Sequence, residues 1–231
     1  MKNRDVAAEI TLALKALGRG SRQGHRPSAQ EDFGVYTGDL RRVVGDFKVQ
    51  LKGAEGKAVH ELALQLLGKK VTECRQVAYE LIAGHKAARE LLDVGRVERL
   101  GQGLDNWACV DNFCAYIAGK AWLEGRIPDA VVERWAVSSD LWWRRVAVVS
   151  TVALNNRSRG GRGDPSRTLM ICERVAADPE IMVQKAISWA LRMLVPWDRE
   201  AVEGFLNRHR DRLSSLVLRE VTRKLRTGKK N

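Results

Sequence analysis

Residues 105–123 read DNWACVDNFCAYIAGKAWL. Their apolar members recur three and four positions apart, the spacing that gathers side chains on one face of an α-helix, and the strict alternation of a half-buried strand is missing. Cys109 and Cys114 belong to this apolar set, where free cysteine packs as a small hydrophobe. Read as one helix, the stretch also places Trp107 and Asp111 four apart, side by side on a single face.

The same spacing continues through almost the whole chain. It predicts helices near 3–18, 38–51, 56–68, 71–83, 86–100, 105–123, 128–136, 139–154, 165–177, 180–194, 198–208 and 214–227. The chain is therefore expected to be all-α. Thr37 ahead of Asp39, Ser139 ahead of LWWRR, and Asp178-Pro179 supply familiar helix openings. Short helices with connections of a few residues fit antiparallel pairs stacked side by side. The expected architecture is a right-handed α-solenoid of HEAT-like pairs, with units of roughly 40 residues and a concave basic cleft. One domain is expected over residues 1–231, with flexible loops at 18–32 (GRGSRQGHRPSAQED) and 155–164 (NNRSRGGRGD).

Composition narrows the partner. The chain of 231 residues is 45% hydrophobic, enough for a sizeable core, and 40 Lys+Arg against 28 Asp+Glu give a net charge of +12. Such an excess calls for a polyanion, either nucleic acid or an anionic membrane, and charge alone does not choose. In the 155–164 loop, Arg157, Arg159 and Arg162 form either a solvated surface or a clamp on phosphates. From Arg208 onward the chain is again strongly basic, and with no aromatics among those residues a single-strand stacking platform is not indicated. The four cysteines form no CxxC pair and have no histidine at ligand spacing, so no metal site is expected and a reducing compartment is. MKNRDVAAEITLALKAL carries Asp5, Glu9 and Lys15 where a signal peptide would be apolar, and VAVVSTVAL (146–154) falls short of the ~20 residues of a membrane span. A cytoplasmic protein without a membrane partner is expected.

Three helices carry tryptophan and a charge on one face: Trp107 with Asp111, Trp142 or Trp143 with Arg145, and Trp189 with Arg192. For any one tryptophan core packing is the simpler reading, and Trp122, Trp135 and Trp197 are expected to be structural. Asp111 is harder to place in a core, because a buried carboxylate without a partner costs several kcal/mol. In a solenoid, successive second helices line one surface, so the three pairs are expected to converge on a cleft.

Four stretches in order, FGVYTGDLRR (33–42), DNWACVD (105–111), LWWRRVAVV (141–149) and QKAISWALR (184–192), resemble the AlkD-type DNA glycosylases, the DNA alkylation repair family built of HEAT-like repeats. The resemblance implies that Asp111 is the catalytic aspartate and that Trp107 and Trp189 are cleft tryptophans. It also implies that Arg145 and Arg192 face DNA and that Arg41, with Arg42 beside it, contacts phosphate at the start of the cleft. The implied activity is excision of purines alkylated at N3 or N7 from duplex DNA, by a monomer associated with the nucleoid, without cofactor and without flipping the base. Two positions depart from the pattern: Ala108 stands where many members have an acid, and Gly38 replaces a helix-opening proline. The competing expectation is a non-catalytic HEAT-like binder of distorted or branched DNA, with a protein-binding solenoid as the third.

Overall fold

The computed structural model describes residues 5–20 and 28–229. Its α-helices are α1 (Val6–Leu17), α2 (Thr37–Gln50), α3 (Gly56–Gly68), α4 (Thr72–Gly84), α5 (Lys86–Glu90), α6 (Val94–Leu100), α7 (Trp107–Phe113), α8 (Gly119–Leu123), α9 (Asp129–Ala136), α10 (Leu141–Asn155), α11 (Pro165–Arg174), α12 (Ile181–Leu194), α13 (Arg199–Arg208) and α14 (Ser215–Thr227). A π-helical turn, Cys114–Ala118, joins α7 to α8, and a 3₁₀ turn, Arg157–Arg159, follows α10. Among the described residues no strand forms beyond an isolated bridge between Glu31 and Val71. The all-α expectation is met, and no described helix is long and apolar enough to cross a membrane.

The chain divides into two compact units, Met1–Ile117 and Ala118–Asn231. In the first, α2 and α7 both pack on α4 while α1 and α5 both pack on α3, and the α3–α4 contact ties the two rows together. In the second, α10, α12 and α14 pack in succession, with α9, α11 and α13 forming the parallel series behind them. Helices in contact across connections as short as residues 69–71 must run antiparallel. Each unit is thus built of antiparallel helix pairs packed in two rows.

α10 explains the longest apolar run. From Arg145 to Asn155 every residue is buried, because α8, α9, α11 and α12 all pack against it. A helix enclosed on all sides must be apolar all round. The four cysteines form no disulfide and are likewise buried, and burial pushes the Cys74 and Cys109 thiols up and that of Cys172 to about 12. They are packing residues, as the sequence suggests.

Helix edges correct the sequence reading by one or two positions. α2 has Tyr36 at its N-cap, whose side chain makes no capping hydrogen bond, so Thr37 is its first turn and not its cap. Asp140, not Ser139, caps α10 by accepting from Trp142 N. Asp178 accepts from Glu180 N but stands outside α12, whose N-cap is Glu180. The helix expected over 86–100 is broken at Asp93, whose carboxylate accepts from Arg96 N at 2.8 Å and starts a new helix. Of the flexible loop expected over 18–32, residues 21–27 lie outside the described residues.

Candidate functional site

The first candidate element is α7. Its Cys109, Val110 and Phe113 are buried, which turns Trp107 and Asp111 to the other side of the helix. Trp107 is 53% exposed, the only tryptophan among the described residues in that class, and Asp111 is half-buried one turn further on. Core packing, the simpler reading of an isolated tryptophan, does not apply to Trp107.

A dense set of hydrogen bonds fixes this short helix. The Asn106 side chain caps it by accepting from Cys109 N at 2.9 Å. Asp105 accepts from Ser28 Oγ at 2.8 Å, from Ala29 N, and from Asn106 Nδ2 at 3.1 Å, so the chain entering α2 is latched to the start of α7. On the buried side, Phe113 lies 5.4 Å from the Tyr79 ring, and Asn112 Nδ2 donates to Gln76 Oε1 at 3.2 Å. Tyr79 in turn donates to Leu100 O at 3.0 Å, while the buried Arg75 donates to Tyr79 Oη at 2.9 Å and to Gln102 O at 3.1 Å. Residues on α4 therefore brace both α7 and the backbone leading into it. Sequence reasoning missed this bracing except for one legible signal, Asn106 as an N-cap before an apolar run.

The turn before α2 is equally built. Gly34 has φ 72°, and a Cβ there would lie 1.9 Å from Gly20 O, so only glycine fits. Phe33 N and Val35 N donate to the two carboxylate oxygens of the buried Glu73, at 3.2 and 3.1 Å. Burial nevertheless pushes the Glu73 carboxyl above the usual carboxylate range, against the pull of those amides. This turn delivers Arg41 and Arg42 to the exposed side of α2. Arg42 pairs with Asp39 at the surface, a solvent-screened contact of small net strength.

In the second unit Trp189 is half-buried on α12. The two arginines expected to face DNA have other engagements. Arg145 is 5% exposed and its Nη1 donates to Met182 O at the start of α12. Arg192 has a side chain 13% exposed, donates to Ser188 O and Oγ at 3.1 Å, and pairs with Glu220 of α14 at 3.4 Å. Both guanidinium groups brace helix to helix, and neither is presented to solvent as a phosphate contact would be. The physical reason is the tight packing of α10, α12 and α14, which encloses the sides of the helices that the sequence pattern treated as open.

The 155–164 connection, expected to be flexible, is held by its own hydrogen bonds. Gly161 N donates to Asn156 O at 2.9 Å, Gly163 N to Leu154 O at 3.1 Å, and Asp164 N to Asn155 Oδ1 at 3.0 Å. Trp197 Nε1 donates to Asn155 O at 2.8 Å, and the Arg157 guanidinium lies over the Trp197 ring at 4.4 Å. Gly163, at φ 84°, leaves room for that ring, since a Cβ would come within 2.7 Å of it. Arg157 and Arg162 are exposed, and Arg159 is half-buried with its carbonyl accepting from Lys120. Trp197, read as structural, is so, and it also carries a loop arginine. Trp122 and Trp135 are buried.

Comparison with known proteins follows the same line. The family model described as DNA alkylation repair enzyme matches residues 12–225, and so spans both units. A solved structure described as a predicted DNA alkylation repair enzyme from Enterococcus faecalis is similar over 98% of each chain, with a TM-score of 0.68 at 17% identity. At that identity the likeness is one of fold. No curated protein matches the chain.

Proposed function

The chain belongs to the DNA alkylation repair enzyme family, and on that premise we propose that it is a monofunctional DNA glycosylase. Its substrates would be cationic N3- or N7-alkylated purines in duplex DNA. DNA is the partner that the family implies, and the net charge of +12 suits it. The observation that carries the finer reading is α7, where an exposed indole and a carboxylate share one face of a helix that hydrogen bonds hold in place at both ends.

The chemistry asks for little more. An alkylated purine of this kind carries a positive charge and departs neutral when its bond to C1′ breaks, so no acid is needed to protonate the leaving group. Ordinary glycosidases need a pair of carboxylates for that reason. As the bond lengthens, positive charge develops on the deoxyribose, and the Asp111 carboxylate stabilises it electrostatically. Water then adds its oxygen to C1′ and loses a proton, for which Asp111 is a suitable acceptor. Fixed charge in a shielded site is worth about 3 kcal/mol, or roughly 10²-fold in rate. Trp107 offers a π face to the same cation, a contribution of roughly 0.5 to 2 kcal/mol. Lesion choice arises from the base's own charge and lability, and extrusion of the base into a pocket is not required. The resemblance adds Trp189 as a further aromatic contact and Arg41 as a phosphate contact, and the basic 155–164 loop offers Arg157 and Arg162 to phosphate; all three arginines are exposed.

The test is release of N7-methylguanine and N3-methyladenine from methylated duplex DNA by the wild type and by Asp111→Asn. Loss of roughly 10²-fold in the single-turnover rate with unchanged duplex binding is expected. Equal release by the two proteins would remove Asp111 from the mechanism. Tight duplex binding by a wild type that releases no base would favour the non-catalytic DNA binder instead.

A further inference from the structure

The C-terminal end of the second unit holds a charge asymmetry that the proposed chemistry does not use. From Arg208 to Lys230 the sequence has nine basic residues and two acidic ones, Asp211 and Glu220. This segment thus supplies seven of the twelve net positive charges of the whole chain. One of its two acids, Glu220, is already taken by Arg192 and Ser188.

α14 organises the excess. Val217, Val221 and Leu225 form its buried side, and α12 packs against it. At 100° per residue, Arg219, Arg223 and Arg226 fall within an arc of roughly 60° on the opposite side, and all three are exposed. They succeed one another at about 4.5 to 6 Å along the helix axis, so each long side chain can meet a separate phosphate. A Schellman-like end at Gly228 (φ 68°) closes the helix just beyond them. α14 is also the third helix of the series that begins with α10 and α12, the helices bearing LWWRR and Trp189.

We propose that Arg219, Arg223 and Arg226 of α14 form a DNA-backbone contact of their own, which supplies affinity for undamaged duplex and is separate from the catalytic helix α7. Duplex DNA is the occupant because the contact offers charge without aromatic or apolar anchors. An anionic membrane is the lesser match, because surface-binding amphipathic helices insert an apolar side and that of α14 is buried in packing. Each phosphate neutralised releases counterions, so three contacts leave a countable signature in the salt dependence of binding. The proposal needs DNA as partner and is independent of the excision chemistry.

The experiment measures affinity for an undamaged duplex over a range of salt concentrations for the wild type, Arg219→Gln/Arg223→Gln/Arg226→Gln, and the corresponding triple lysine variant. The glutamine variant should lower the slope of log affinity against log salt by roughly 2 to 3, at about 0.9 per contact, and the lysine variant should keep the wild-type slope. Gln and Arg have similar helix propensity, so exposed substitutions should leave α14 folded. If the triple variant does not fold, each single glutamine substitution should remove about 0.9. An unchanged slope in the folded triple variant or in the singles overturns the proposal. So does binding to phosphatidylserine vesicles that these substitutions abolish while duplex binding stays intact. Because no damaged base is involved, failure here leaves the glycosylase reading standing, and failure of base release leaves this contact standing.

Discussion

Trp107 keeps more than half of its surface in solvent at the first position of α7, a position where burial cannot explain an indole. Removing it should therefore cost stability little, since exposed substitutions usually fall within about 0.5 kcal/mol. If its ring faces the developing sugar cation, Trp107→Ala should slow base release by roughly 2- to 30-fold, the range that 0.5 to 2 kcal/mol of cation–π attraction implies. Comparing single-turnover rates with urea midpoints separates the two effects. A variant that loses stability but not rate would make Trp107 a structural residue after all. The residue scale also shows where reading a sequence by faces stops working. The Trp107–Asp111 pair was legible because four-residue spacing in a helix has one geometric meaning. Arg145 and Arg192 were not, because whether a guanidinium meets solvent or a neighbouring helix depends on Met182 and Glu220, which lie 37 and 28 positions away.

Among the elements, helix existence was legible nearly throughout and helix ends were not. The apolar spacing runs through α10 as far as Leu154, yet nothing in it distinguishes Ser139 from Asp140 as the cap, and the structure uses Asp140. The break at Asp93 follows the same logic: a short acidic side chain competes for backbone N–H groups and restarts the helix where the hydrophobic pattern continues. α3 and α5 are joined through a buried histidine, His60, whose Nε2 hydrogen-bonds Ala88 O at 2.8 Å. Burial, and more weakly Arg96, hold its pKa below the ordinary 6.5 despite the Ala88 carbonyl and Asp93. Between that lowered pKa and 6.5 the unfolded chain binds the proton and the folded one does not, so stability rises with pH across this window. The contribution is complete above about 6.5 and is lost as pH falls below it. A urea midpoint that drops on acidification from neutral pH is expected, with a smaller drop in His60→Gln. Identical acid sensitivity in the two proteins would assign the effect elsewhere.

The whole molecule couples an excess of positive charge to a fold whose family acts on DNA. The division into units at Ile117 and Ala118 falls inside the π-helical turn, where the apolar spacing of the sequence passes without interruption, so no composition shift betrayed it. Net charge, by contrast, was fully readable, and it makes a prediction for the whole chain. Twelve uncompensated charges repel one another in the compact state, so added salt alone should raise the thermal midpoint. Duplex DNA should raise it further, because a ligand that binds only the folded chain stabilises it by about 2.7 kcal/mol at a hundredfold excess over Kd. In a chain of this size that corresponds to a shift of roughly 5 to 10 °C. The two effects must oppose each other when combined. Salt screens the repulsion that the free protein suffers, but it also weakens the phosphate contacts that DNA provides, so the DNA-induced increment should shrink as salt rises. Melting curves at several salt concentrations, with and without undamaged duplex, resolve the two. A DNA increment that persists unchanged at high salt would mean that the complex is held by something other than the charges counted here.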